Sequence, residues 1–244
     1  VTPEATAAAA AAPIGALGGA FMISRATLKK GPAMGLPKGW AFYFGGRGGV
    51  LGDVVPDVVA AAFVFFPVET VRTHWLEARA VIDPAAAAAA YAEACQAWGR
   101  EHLSEIADLD RLVELLRRVI ADISPAGAPL FAGWRALPLP QDEPGAAAHM
   151  LQVLREFRGA MHGVAVLAEG LTPLEAVLIS GGEANASFFG WEAPYPEVEE
   201  LRDKHRAAEK RTDHMAARAF TSLYDGERRE LIGMLEEARS VLPT

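Results

Sequence analysis

Gly145 to Ser180 reads GAAAHMLQVLREFRGAMHGVAVLAEGLTPLEAVLIS, and the fold turns on this stretch. Leu151, Leu154, Phe157, Met161, Val164 and Ala168 recur at three- and four-residue spacing, which predicts a long helix with one buried stripe. Arg155, Arg158 and His162 recur the same way on a neighbouring face, so their side chains can converge on one spot. A solvated face would more often alternate Glu with Lys. Thr172-Pro173-Leu174-Glu175 then reads as the cap and first turn of a short helix, which Gly181-Gly182 ends.

Upstream, prolines at 125, 129, 138, 140 and 144 make residues 125–144 a Pro-rich connection. It separates an N-terminal helical half, residues 1–124, from a C-terminal half, residues 145–244, packed against it. In the N-terminal half, Ala7 to Ala12 start a helix that is expected to loosen at Gly15, Gly18 and Gly19, and Ser24 to Lys38 reads as polar turns. Trp40, Phe42, Tyr43 and Phe44 are core-like. Val58 to Phe66 is apolar all round, as a central helix is, and Pro67 stops it. Helices follow over Val68 to Val81 and over Ala85 to Leu103, the latter opened by Asp83-Pro84. Ile106, Leu109, Leu112, Leu116, Val119 and Ile123 form a further stripe.

Downstream, Glu197 to Leu223 reads as one charged helix with Val198, Leu201, His205, Ala208, Thr212, Met215 and Ala219 at heptad spacing. Asp225 caps a last amphipathic helix. No segment reads as a strand, so the fold class is all-α. The heptad seam, apolar but small, predicts a homodimer through these C-terminal helices.

Composition narrows the function. With 51% hydrophobic and 22% charged residues in 244, the chain is an ordinary globular protein. Its formal charge of −8 disfavours broad nucleic-acid or anionic-membrane binding, which needs clustered Lys and Arg. The single cysteine, Cys95, excludes an internal disulfide and fits a reducing cytoplasm. Ala5 to Ile23 carries no charge, but Pro13 and three glycines interrupt it and no basic segment precedes it, so neither a secretory signal nor a membrane span is expected.

Two arginines and a histidine on one helical face can hold a carboxylate or phosphate, or pair with Glu156 and with acids on the terminal helices. Arg47 sits among Gly45, Gly46, Gly48 and Gly49, where the backbone can approach a ligand or a neighbouring helix. It lacks the spacing of a phosphate loop, which favours helix packing. His149 lies thirteen residues before His162, off its face, and no HExxH or CxxC pattern occurs, so no metal site is predicted. The sequence does not identify a cofactor.

The segments GLPKGWAFYFGGRGGVLGDV, PLFAGWRALPLP and HMLQVLREFRGAMHGVAVLAEGL followed by LEAVLI resemble a group of actinobacterial all-helical proteins known only as helix-turn-helix proteins. The resemblance covers roughly residues 13 to 240. It matches Tyr43, Gly46, Arg47 and Gly52 to one family motif and His149, Arg155, Arg158, Gly159 and His162 to a second. Gly190-Trp191 is similar to the pair that follows the family's helix-turn-helix. Thr212-Asp213 and the final helix resemble the C-terminal arm of winged-helix regulators of the multiple-antibiotic-resistance class. The resemblance thus implies a degenerate winged-helix-like C-terminal half, here without a clear wing. The chain departs from the family at Gly15, Phe157 and Ala160-Met161.

Three functions compete. The leading one is a non-catalytic protein holding a small organic ligand, anions included, between its halves through Tyr43, Arg47, His149, Arg155, Arg158 and His162, as sensor or accessory factor. The alternatives are a DNA-binding regulator of winged-helix type and an enzyme of unknown class using the Arg158 and His162 face. Residues 170 to 200 contain no Lys or Arg, which weighs against DNA.

Overall fold

The structure, a computed structural model, describes residues 1–242. Twelve α-helices and four short 3-10 turns account for its regular structure, and no strand occurs among the described residues. The helices are α1 Pro3–Ala20, α2 Arg25–Ala33, α3 Ala41–Gly48, α4 Pro56–Phe63, α5 Val68–Arg79 and α6 Pro84–His102. They continue as α7 Leu109–Ala121, α8 Pro129–Ala136, α9 Glu143–Ala168, α10 Pro173–Phe188, α11 Arg202–Ala216 and α12 Asp225–Arg239.

Helix α9 is the axis of the molecule. Asp142 accepts from the Gly145 amide to cap it and Pro144 lies in its first turn. From Gly145 to Leu154 every residue is buried, because α1, α6, α7 and α8 surround this half. Beyond Phe157 the surroundings change to the α4–α5 turn, α10 and α11, so the straight stripe expected from the sequence does not continue: Val164 is exposed, while Gly163, Ala165 and Val166 are buried. Helix α4, by contrast, is not central. Only Val59 and Phe63 are buried on it, Val58 is exposed, and it ends at Val64, ahead of Pro67. One large core joins Ile14 and Leu17 of α1, Trp98 of α6, Leu112 of α7, Trp134 of α8 and Leu151 of α9 to Leu231 of α12.

Glycines set how closely the helices approach. Helix α1 does not loosen at its glycines but runs unbroken; a Cβ at Gly18 would sit 2.7 Å from the Leu151 carbonyl oxygen, so only glycine lets α1 lie on α9. The glycine segment around Arg47 is likewise helical. A Cβ at Gly46 would meet Tyr91 at 2.6 Å, and one at Gly49 would meet the Pro84 carbonyl oxygen at 2.1 Å. The segment brings α3 onto α6 rather than forming a loop over a ligand.

Two stretches read as irregular contain helices. Ser24 accepts from the Thr27 amide and starts α2 inside the expected polar turns. Pro129 starts α8 inside the Pro-rich connection. Conversely, the long helix expected from Glu197 to Leu223 is α11 flanked by 3-10 turns at Glu199–Leu201 and Ala217–Phe220. Its seam is used within the chain: Ala208 packs with Ala165, Val166 and Ala176, and Leu201 and Met215 border the same cluster. Tyr224, not Asp225, occupies the cap position of α12. Helix α1, with its 3-10 extension to Ile23, is long and apolar enough to cross a membrane, and half of it is buried in this fold.

Candidate functional site

A cavity of about 260 Å³ lies where α1, α3, the α4–α5 turn, α8 and α9 meet, with Phe189 at its edge. Five of the six residues singled out from the sequence line it: Tyr43, Arg47, Arg155, Arg158 and His162. Much of the remaining wall is apolar, from Ile14, Phe63, Phe65, Phe66, Leu130 and Phe189.

The floor is a buried ion pair. Helix packing carries Arg47, at the end of α3, to Glu156 on α9, and the two meet side by side: Nε donates to Oε1 at 2.7 Å and Nη2 to Oε2 at 2.8 Å. Arg47 Nη1 donates to the Tyr43 hydroxyl at 2.7 Å, and Gln152 Nε2 donates to Glu156 Oε1 at 2.6 Å. The guanidinium also lies 4.4 Å from the centre of the Phe63 ring. Burial alone would push the Glu156 carboxyl up, but the Arg47 guanidinium outweighs it and holds the group below the usual carboxylate range. Burial would also lower the Arg47 pKa, and the Glu156 charge reverses that, so both partners stay ionised. Glu156 is the functional neighbour that spacing on one helix does not reveal as Arg47's partner, since 109 residues separate them.

The other cations differ in how they are balanced. Arg158 Nη2 donates to Glu209 Oε2 at 2.9 Å and lies 3.4 Å from Asp213 Oδ1, both on α11. Its Nε is buried with no partner. Arg155 has only a 3.5 Å contact with Glu156 Oε1, an oxygen already held by Arg47 and Gln152. Among the described residues, Arg155 is therefore the one cation lining the cavity without a carboxylate of its own.

His162 and His149 divide sharply. The Thr212 hydroxyl spends its proton on the Ala208 carbonyl at 2.7 Å, so at 3.1 Å it must accept from His162 Nδ1. With the proton on Nδ1, the neutral ring keeps its Nε2 lone pair free, and burial favours that neutral form by lowering the pKa, against the opposing pull of Glu209. His149 lies outside the cavity and is fully buried. Its Nε2 donates to the Trp134 carbonyl at 3.1 Å, and its Nδ1 accepts from the Gln96 amide at 3.3 Å. With both nitrogens used, His149 ties α9 to α8 and α6.

At its far end α9 turns into α10 through 111° across Glu169 to Thr172, with Gly170 at φ 71°. That angle and that glycine are those of a helix-turn-helix corner, which spans about 90–120°. Thr172 and Glu175 cap α10 reciprocally, and Gly182, at φ 69°, kinks it. Residues 170–200 hold six carboxylates and no Lys or Arg.

No curated protein and no solved structure matches the chain. Residues 6–203, which span the cavity and the α9–α10 corner, match the Helix-turn-helix family. The chain belongs to that family.

Proposed function

We propose that this protein holds a small organic anion in the cavity between α1, α3 and α9, as a sensor or accessory factor without catalysis. The observation that carries the reading is Arg155, a guanidinium with no carboxylate of its own, on the rim of an aromatic-walled cavity. A carboxylate entering there gains a charge-assisted hydrogen bond, and its apolar part gains contact with Phe63, Phe65 and Phe189. Gly15 and Gly159 favour the same reading. Both line the cavity in mid-helix, and a Cβ at either would meet nothing within 4 Å, so packing does not require glycine there.

The test is native mass spectrometry of the purified full chain, followed by displacement of whatever is bound. A bound organic acid that is lost in Arg155→Gln supports the reading. Its retention at full occupancy in that variant, or a wild-type chain with no affinity for any monocarboxylate or dicarboxylate in a panel, overturns it.

Family membership and the α9–α10 corner favour a second reading, a DNA-binding regulator. The charge of α10 opposes it. Phosphate contact needs cations on the helix entering the groove, and residues 170–200 offer only Glu175, Glu183, Glu192, Glu197, Glu199 and Glu200. A mobility-shift assay at low salt is expected to show no duplex binding below micromolar Kd; nanomolar, sequence-selective binding would reverse the order of the two readings.

A further inference from the structure

Where α9 crosses α11, three side chains from distant parts of the sequence meet. His162 projects from α9, and His205 and Glu209, one turn apart, project from α11. Each offers one donor atom, and the three donors lie within 4.8 Å of one another. His162 Nε2 and Glu209 Oε1 are 3.7 Å apart. Donors held at about 2.1 Å around a tetrahedral ion lie about 3.4 Å from each other, so small rotations close the set.

We infer that His162, His205 and Glu209 form a binding site for a divalent first-row transition ion of the zinc class. The supporting groups are arranged as such a site needs. Thr212 holds the His162 Nδ1 proton and leaves Nε2 to the ion, the second-shell arrangement that orients metal-bound imidazoles. Arg158 holds Glu209 Oε2 and leaves Oε1 turned towards His162. His205 Nε2 is buried with no hydrogen-bond partner, an unsatisfied atom that a metal would complete. Two imidazoles and one carboxylate suit zinc, cobalt or iron(II), and three protein donors leave at least one position open. His162 lines the cavity, so the open position is available to whatever enters it. The inference stands apart from the proposed anion, since the ion can bind whether or not the cavity is filled.

The test uses the untagged full chain, stripped with a chelator and titrated with Co²⁺ by visible absorption and with Zn²⁺ by calorimetry. One equivalent of each is expected, with the intense ligand-field bands of four- or five-coordinate Co²⁺ and a higher Tm for the loaded protein. His205→Ala and Glu209→Gln should each weaken binding at least 100-fold with circular dichroism still helical. Thr212→Val, which keeps shape and removes only the hydroxyl, should weaken it roughly 10–100-fold. His205→Gln replaces the alanine variant if that one does not fold. A wild-type chain that gives no ligand-field spectrum with Co²⁺ overturns the site, and so does one-equivalent binding that survives both His205 and Glu209 substitutions.

Discussion

Arg47 and Glu156 show how one pair can fix two helices. Taking both charges out of water costs several kcal/mol each, and the paired geometry with Tyr43 and Gln152 returns that cost only while both partners are present. Glu156→Gln is therefore expected to destabilise the fold by about 3–5 kcal/mol. A urea midpoint unchanged from wild type would contradict this. The pair also sets an acid limit. Its carboxyl titrates below the unfolded value of about 4.3, so its stabilisation is complete above that pH and is lost as pH falls through the folded value. His149 acts at a higher pH for the same reason. Burial lowers its pKa, outweighing the Trp134 carbonyl, so below about 6.5 the unfolded chain takes up the proton first. Unfolding free energy should decline as pH falls below about 6.5, with a smaller slope in His149→Gln; an equal slope in that variant would sink the assignment. Spacing on α9 was enough to gather Arg155, Arg158 and His162 on one cavity wall. It could not name the partners of Arg158 and His162, because Glu209, Asp213 and Thr212 arrive through tertiary packing. His205 and Glu209 were legible as neighbours on a charged helix, but their meeting with His162 depends on the crossing of α9 and α11.

At the scale of the helix, glycine marks two opposite needs. At Gly18 and Gly49 a Cβ would strike a backbone carbonyl, so these glycines hold α1 against α9 and the 3-10 turn after α3 against α6. At Gly15 and Gly159 the space is open, and the helices bear the ordinary penalty of a mid-helix glycine without a packing return. Gly159→Ala is accordingly expected to raise stability by about 0.4–1 kcal/mol, and Gly18→Ala to lower it by about 1–3 kcal/mol. Thermal melts of the two variants check both signs; destabilisation by Gly159→Ala would remove that glycine from the argument for a cavity built to be filled. The sequence pattern marked α5 and α6 and the capping of α10 well, because Val71, Trp75 and Ala78, Asp83-Pro84 and Thr172-Pro173 are local signals. It misread α1, α2 and α3, where Gly and Pro, usually signs of a break, sit inside helices. In α1 and α3 a close neighbour makes the absence of a side chain an advantage.

At the scale of the molecule, the all-α class follows from helical periodicity in nearly every apolar segment and from the absence of alternating ones. What periodicity could not supply is which helix is surrounded. Val58 to Phe66 and the first half of α9 are both apolar, yet only α9 is enclosed, because enclosure depends on how α1, α6, α7 and α8 assemble around it. That assembly places the first helix between the middle of the chain and its end: α1 packs on α9, α11 and α12, and Arg228 of α12 donates to the Val1 carbonyl at 2.7 Å. The order of synthesis then matters. A ribosome adding about 5–20 residues per second finishes α1 roughly 10–45 s before α12 exists. Helix α9 can cover one side of α1 once residue 168 is made, but the side that α11 and α12 cover stays open until the end of the chain emerges, and it needs either a chaperone or a temporary seat elsewhere. A chain stopped before α11 would keep that exposure for good, so premature termination here should yield aggregates or stray membrane attachment rather than a smaller working protein.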